Sequence, residues 1–166
     1  FGDKETLLFL AVESYFGECN ERRARLSAGA RDVLEAIFLE LNELMAQSET
    51  ANRIMSSLRK FHPAVHDRVL HEGAEKNRRN IREMLEKGIA DGFFVADFNL
   101  DLAITMLYHT ASVVVERRDL VLPEGMTERE AFVQVISTFF RGIATAKGLE
   151  LIDEYKNRIV SGTDRA

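Results

Sequence analysis

Turn-forming residues interrupt this chain so rarely that they limit which folds it can adopt. Only two prolines and ten glycines occur in its 166 residues, whereas β-sandwiches and barrels place turn residues at every 8–12 positions or so. Between the breaks, apolar residues recur at intervals of three and four, which is the period of a helix that faces a core. The sequence therefore predicts an all-α domain.

Local signals predict about seven helices in an antiparallel bundle. Ser27 is placed to cap one of them, and Pro63 is placed in the first turn of another. Gly92 can close the long helix after Pro63 in a left-handed conformation, and Thr127 with Glu130 has the form of a capping box. The predicted helices begin near residues 3, 27, 49, 63, 99, 127 and 148, and the last two end near residues 147 and 160.

The charge balance and the apolar pattern exclude several classes of protein. The chain has 22 basic and 27 acidic residues, whereas a nucleic-acid-binding domain presents a basic face to the phosphates. Its single cysteine excludes an intrachain disulfide and is typical of a reducing compartment. No uninterrupted apolar stretch approaches the roughly 18 residues that a membrane span needs. We therefore expect a soluble cytoplasmic protein.

The residue types that carry catalysis form no recognisable pattern. The sequence has no Gly-rich phosphate loop, no G-x-S-x-G, no H-E-x-x-H and no paired-cysteine motif. His62 and His66 are four residues apart, but His62 precedes Pro63 and lies outside regular helix geometry, and no third ligand presents itself. Cys19 lies among acidic residues, which disfavour a reactive thiolate. We expect no enzyme activity, no cofactor and no metal site.

Two helices near the end of the chain are apolar over more of their surface than one core requires. The helix that begins near residue 99 has apolar stripes on two sides, and the β-branched run at residues 113–115 falls within its helical pattern. We expect a homodimer in which both helices meet their copies in a four-helix arrangement. The alternative is that both helices lie at the centre of a monomer. The expected interface residues are Leu102, Met106, His109, Val113, Phe132, Val135, Ile136, Phe139, Phe140 and Ile143.

The long helix carries polar and small residues where a core-facing stripe would carry leucine. His66, Gly73 and Asn77 occupy this stripe, and Asn42 lies at the apolar edge of an earlier helix. A pocket for a mostly apolar ligand with a few polar contacts has this composition. Two other interpretations stay open: a hydrogen-bonded core histidine with a close helix crossing at Gly73, or a stripe that is turned toward solvent.

Three segments of the chain follow a familiar pattern. The first, Phe1-Gly2-Asp3-Lys4-Glu5-Thr6-Leu7-Leu8, resembles the end of the DNA-binding head of the tetracycline-repressor (TetR) family, where the connecting helix begins. The segments Gly88–Phe94 and Phe139–Ala144 resemble that family's regulatory domain, and the order of helices matches over essentially the whole chain. The resemblance assigns residues 1–26 to the end of the head and the connecting helix. It assigns residues 27–166 to a ligand-binding and dimerisation domain, and the family's helix-turn-helix is absent from this chain.

The resemblance implies a transcriptional regulator, most often a repressor, that is released from operator DNA by a small apolar or amphipathic ligand. Operator DNA would be bound by the missing head, and Lys4 alone carries over as a contact to a phosphate. The alternatives are a stand-alone all-α binding module for a small molecule and a small helical enzyme. The expected ligand-binding residues are Tyr15, Phe38, Asn42, Met55, His66, Asn77 and Tyr108.

Overall fold

The computed structural model describes residues 4–116 and 122–161, with side chains for residues 4–113 and 122–159. These residues form six α-helices: α1 (Lys4–Ala28), α2 (Val33–Phe61), α3 (Pro63–Ala90), α4 (Leu100–Glu116), α5 (Glu128–Ile143) and α6 (Ala146–Ser161). The all-α prediction is confirmed, with six helices in the described ranges rather than about seven. Asp3, the predicted cap of the first helix, lies outside the described residues. Within the described ranges, no helix combines the length and the hydropathy needed to cross a membrane.

The helix α2 occupies the centre of the bundle. It packs against α1 and α3, its neighbours in the chain, and also against α4 and α6. Further contacts join α3 to α4, α4 to α5 and α5 to α6. The ion pair of Arg22 with Glu43 and the packing of Phe9 with Leu58 show that α1 and α2 run antiparallel.

The buried side chains form two separate clusters. The main cluster lies among α2, α3, α4, α5 and α6 and contains Phe132 and Phe140, the largest fully buried side chains. The second cluster is smaller and holds α1 against the C-terminal half of α2 and the N-terminal half of α3. Its buried members are Phe9, Val12, Leu58 and Val65. Among the described residues, α1 contributes no side chain to the main cluster.

The predicted start of the second helix and its predicted break near residue 49 are both wrong. Ser27, the predicted cap, lies inside α1, where its hydroxyl donates to the carbonyl oxygen of Arg23 at 3.1 Å. The cap of α2 is instead Asp32, whose carboxylate accepts from the backbone N–H of Glu35 at 2.9 Å. From there α2 continues through the polar residues 47–50 to Phe61, so that two predicted helices are one.

Three local signals are confirmed. Pro63 occupies the first turn of α3, and Gly92 closes this helix with a φ of 75°, the left-handed conformation that glycine adopts without strain. Thr127 and Glu130 form the complete capping box at the start of α5. Each signal depends on residues a few positions apart, which is why the sequence alone is enough to read it.

The helix α5 ends at Ile143 and not near residue 147, because the chain there pairs with the turn that follows α3. The Val95 N–H donates to the Ile143 carbonyl oxygen at 2.8 Å, and the Thr145 N–H donates to the Phe93 carbonyl oxygen at 2.9 Å. A single β-bridge links residues 94 and 144. We call this pairing of residues 91–95 with residues 143–148 the turn joint. It fixes the end of α3 against the link between α5 and α6.

Candidate functional site

The seven predicted ligand residues lie at different levels of the bundle. Because α2 is continuous and rises 1.5 Å per residue, Phe38 and Met55 are about 25 Å apart along its axis. The ring of Phe38 belongs to the main cluster, 6.2 Å from the ring of Tyr155, whereas Met55 packs on the second cluster. One small ligand cannot contact both residues, so the predicted set does not form a single site.

Three of the predicted ligand residues contact other protein groups. The side-chain oxygen of Asn42 accepts a hydrogen bond from Arg129 of α5. His66 is mostly buried, and its Nδ1 lies 3.0 Å from Oδ1 of the adjacent Asp67. Tyr108 is half-buried and packs edge-on against the ring of His109, with centroids 5.5 Å apart. These contacts assign Asn42 to a hydrogen bond between α2 and α5, and His66 to the first turns of α3.

The middle of the polar stripe on α3 is turned toward solvent. Leu70 is 41% exposed and Asn77 is exposed as well. A Cβ atom added at Gly73 would meet no atom within 4 Å, so the close helix crossing at this glycine is wrong. Of the interpretations left open by the sequence, the structure supports the solvent-facing stripe for these residues. Gly73 leaves open space beside α3.

Between the two clusters, Tyr15 meets residues that the sequence reasoning missed. Its hydroxyl group is close enough to interact with Cys19, one turn along α1, and with Thr50 of α2. The ion pair of Lys76 with Glu13, at 3.5 Å, joins α3 to α1 within one turn of Gly73 and two residues from Tyr15. We call Tyr15, Cys19, Thr50 and Gly73 the central groove. Thr50 was missed because α2 was predicted to break at residue 49, and a continuous α2 would have placed it opposite Tyr15.

The hydrogen-bonding groups of the central groove are uncharged, and the charged side chains of Arg22 and Arg53 lie beside them. Burial raises the pKa of Tyr15, and its interaction with Cys19 raises it further. The phenol therefore stays protonated at neutral pH and can donate a hydrogen bond. A phenol, a thiol and a hydroxyl can each hydrogen-bond to a neutral or amphipathic small molecule, and Gly73 leaves open space on the solvent side of α3. In the described ranges, no three His, Cys, Asp or Glu side chains come together as ligands for a metal ion.

A small crevice lies between α2 and α6 at the N-terminal end of α2. Its volume is about 10 Å³, which is room for one water molecule at most. At its rim, Nη1 of Arg158 lies 3.0 Å from Oε1 of Glu35, and Nε of Arg31 lies 3.1 Å from Oε2 of Glu35. Burial alone would raise the pKa of Glu35, but hydrogen bonds from Arg31 and the charges of both arginines outweigh burial and lower it. The lining residues are Glu35, Phe38, Leu39, Tyr155, Arg158 and Ile159.

The residues predicted at a dimer interface differ in how much of each side chain is exposed. Phe132, Ile136 and Phe140 are at most 1% exposed, so they are core residues of the chain and have no surface to offer to a second copy. Their assignment to an interface is corrected accordingly, because α5 packs this face against α4 and α6. Three further residues of α5 are half-buried, namely Val135, Phe139 and Ile143. The α4 residues Leu102, Met106, His109 and Val113 are all exposed.

Lys4, the predicted DNA contact, is the first residue of α1 and is exposed. Comparison with protein-family models, with curated proteins and with solved structures finds no match to this chain. What the chain does is therefore inferred from its own residues and their geometry.

Proposed function

We propose that this chain is the effector-binding and dimerisation domain of a TetR-type transcriptional regulator. It acts as a repressor that leaves operator DNA when a small apolar or amphipathic ligand binds. The observation that carries the proposal is the separate attachment of α1, which packs through the second cluster and takes no part in the main cluster. The resemblance assigns the role of connecting helix to this same segment.

The internal segments of the resemblance also support the proposal by their position. Gly88–Phe94 and Phe139–Ala144 are far apart in the sequence, yet both contribute to the turn joint. The ring of Phe94 stacks on that of Phe140 with centroids 5.5 Å apart. Two segments that each resemble the family therefore lie together at one joint of this structure.

A tilt of α1 would be enough to control DNA binding. At 1.5 Å per residue, its 25 residues make a rod about 37 Å long, so a tilt of about 5° moves one end by about 3 Å relative to the other. Two heads on one duplex must match half-sites about 34–36 Å apart. A displacement of this size at each head lowers operator affinity, and Lys4 lies at the end of α1 that moves.

The central groove is the position from which a ligand can tilt α1. It lies between the second cluster and the main cluster, and Tyr15 and Cys19 on its wall belong to α1. A ligand shifts an equilibrium only by its differential affinity for the two states. Ligand and operator must therefore weaken each other's binding by the same factor.

The test uses the intact protein with whatever N-terminal region its gene encodes. Duplexes that it retains are selected from a random library, and binding of the amphipathic dye anilinonaphthalene sulfonate is titrated with and without the selected duplex. We expect enriched sequences with two half-sites about one helical turn apart and weaker dye binding in the presence of the duplex. G73W should block dye binding, and the matched variant G142W, at an exposed glycine of α5, should leave it unchanged.

Two results would contradict the proposal. If no duplex is enriched, the chain is no part of a DNA-binding regulator, and a stand-alone binding module becomes the better interpretation. If dye affinity is equal with and without the duplex while G73W abolishes it, the groove binds ligands but does not control DNA binding.

A further inference from the structure

Three positively charged side chains lie at the end of the bundle where α1 begins. Lys4 is the first residue of α1, and Arg59 and Lys60 lie in the last turn of α2. All three side chains are exposed to solvent. We call these three residues the basic corner, because α2 turns there into α3.

The antiparallel packing of α1 against α2 brings the basic corner to one level of the bundle. Phe9 of α1 packs with Leu58 of α2 in the second cluster. At a rise of about 1.5 Å per residue, Lys4 lies about 7.5 Å beyond Phe9 toward this end of the bundle. Lys60 lies about 3 Å beyond Leu58 in the same direction. The levels of Lys4 and Lys60 therefore differ by only about 4–5 Å, although the two residues are far apart in sequence.

The charges of the basic corner are not neutralised by the protein. Within the described ranges, no carboxylate forms an ion pair with Lys4, Arg59 or Lys60. A neighbouring cation shows the contrast, since Nε of Arg68 in α3 lies 3.0 Å from Oε1 of Glu72. The positive charge of the basic corner is therefore available to a partner.

The surroundings of the basic corner contain few acidic residues. Residues 50–66 include no Asp or Glu, although the chain has 27 acidic residues and a net charge of −5. The nearest acidic side chains are those of Glu5 and Asp67. Glu5 follows Lys4 directly, so the two side chains point about 100° apart around α1. Asp67 contacts the ring of His66 at 3.0 Å. An acidic chain therefore has a positive surface at this end.

We infer that the basic corner binds the phosphate backbone of the operator duplex, with Arg59 and Lys60 of α2 adding contacts next to that of Lys4. This inference rests on the proposed function, which assigns Lys4 alone to DNA and places the duplex beyond this end of α1. One strand of a duplex carries a phosphate about every 3.4 Å along its axis, which is comparable to the spacing within the basic corner. Contacts to phosphates fix position and affinity and read no sequence.

Phosphate contacts determine how strongly DNA binding depends on salt. The logarithm of the binding constant falls against the logarithm of the salt concentration with a slope of about 0.9 for each contact to duplex DNA. Loss of the contacts of Arg59 and Lys60 should therefore reduce this slope by about 2 for each bound copy of the chain. The affinity lost by such a variant should be about tenfold larger near 50 mM salt than near 200 mM, again for each copy.

The experiment measures binding of the intact protein to the duplex selected from the random library, over a series of salt concentrations. R59Q/K60Q removes both charges of α2 and keeps a similar helix propensity. Its salt slope should fall by about 2 per copy, while its preference among the enriched sequences should stay the same. The matched control is R79Q/K156Q, which removes two charges from α3 and α6, with Arg79 exposed about 24 Å along α3 from Pro63. The control should keep the wild-type slope.

An anionic membrane is the competing partner for a basic surface of this kind. Phe61 beside the basic corner is 63% exposed, and the ammonium group of Lys60 lies 5.0 Å from the centre of its ring. The duplex is favoured because the resemblance already assigns a phosphate of DNA to Lys4. Binding of the same variants to phosphatidylserine vesicles separates the two partners, and we expect R59Q/K60Q to change duplex binding and not vesicle binding.

The outcomes separate the inference from the proposed function. A smaller salt slope in R59Q/K60Q, with the control unchanged, supports the inference. A wild-type slope in R59Q/K60Q, or an equal reduction in the control, overturns the inference and leaves the proposed function standing, because the duplex is still bound. Vesicle binding that only R59Q/K60Q abolishes, with an unchanged duplex slope, overturns it in favour of a membrane surface. If no duplex is enriched at all, the inference and the proposed function are both wrong.

Discussion

Substitution of Gly148 by alanine tests the turn joint. A Cβ atom at this position would overlap the Phe93 carbonyl oxygen and lie 3.1 Å from its carbonyl carbon, so backbone has to move. Overpacking of this kind costs about 1–3 kcal/mol. The movement also strains the hydrogen bonds from the Thr145 N–H and hydroxyl to the carbonyl oxygens of Phe93 and Gly92, at 2.9 and 2.8 Å. Each such bond contributes about 1 kcal/mol, whereas the gain from alanine in a helix is about 1 kcal/mol.

The expected net loss for G148A is about 2–4 kcal/mol, read from urea unfolding followed by circular dichroism. With a dependence of about 2 kcal/mol per molar urea, the midpoint falls by about 1–2 M. The matched control is G142A in α5, where an added Cβ meets no atom within 4 Å, and its midpoint should stay the same or rise. A G148A midpoint equal to or above that of the wild type would refute the reasoning.

Three further predictions concern the contact between α2 and α6. In the wild type, the hydroxyl of Tyr155 donates a hydrogen bond to Oδ2 of Asp32 at 2.7 Å. D32A should lower the unfolding free energy by about 2–4 kcal/mol, because it removes a helix cap and leaves this buried hydroxyl without its acceptor. Thermal and urea unfolding measure the loss. Burial raises the pKa of Tyr155 above its unfolded value, and the hydrogen bond to Asp32 raises it further. The stability that this raised pKa contributes is complete below pH 10 or so and is lost as the pH rises further. Y155F should flatten that alkaline decline in a pH series of unfolding curves, and an unchanged slope would contradict the assignment. The pKa of Glu35 is lowered in the folded chain. The stability that this lowered pKa contributes is therefore present above the ordinary glutamate range and is lost as the pH falls through the folded pKa. E35Q should reduce the loss of stability on acidification, and a loss identical to that of the wild type would contradict this assignment.

The sequence predicted several helix ends whose signals are local, and it failed where a partner is distant or where a side chain has a competing local use. The capping box at Thr127 and the left-handed Gly92 involve residues that are close in sequence, and both were predicted correctly. The end of α5 at Ile143 depends on the N–H of Val95, which no local pattern reveals. Serine is a common cap residue, but the hydroxyl of Ser27 donates a hydrogen bond to a carbonyl oxygen of its own helix. This use of the hydroxyl competes with helix capping.

The same distinction explains the candidate site. Tyr15 was proposed from the resemblance, whereas its contact with Thr50 depends on the register of α1 against a continuous α2. Phe38 and Met55 fell into one predicted pocket because their helix was divided in two, which hid the distance between them. The structure buries one of the two apolar sides of α4 within the chain, through Ala103, Ile104 and Leu107. The pattern of α5 could not show that Phe132 is covered within the chain as well.

The central claim, that this chain is the regulatory domain of a DNA-binding repressor, is tested most directly by the N-terminal sequence of the natural, full-length protein. The account predicts an extension on the order of 45 residues ahead of Phe1 that contains a basic helix-turn-helix. A natural chain that begins at or near Phe1 would contradict it, since no DNA-reading helix would then be joined to α1.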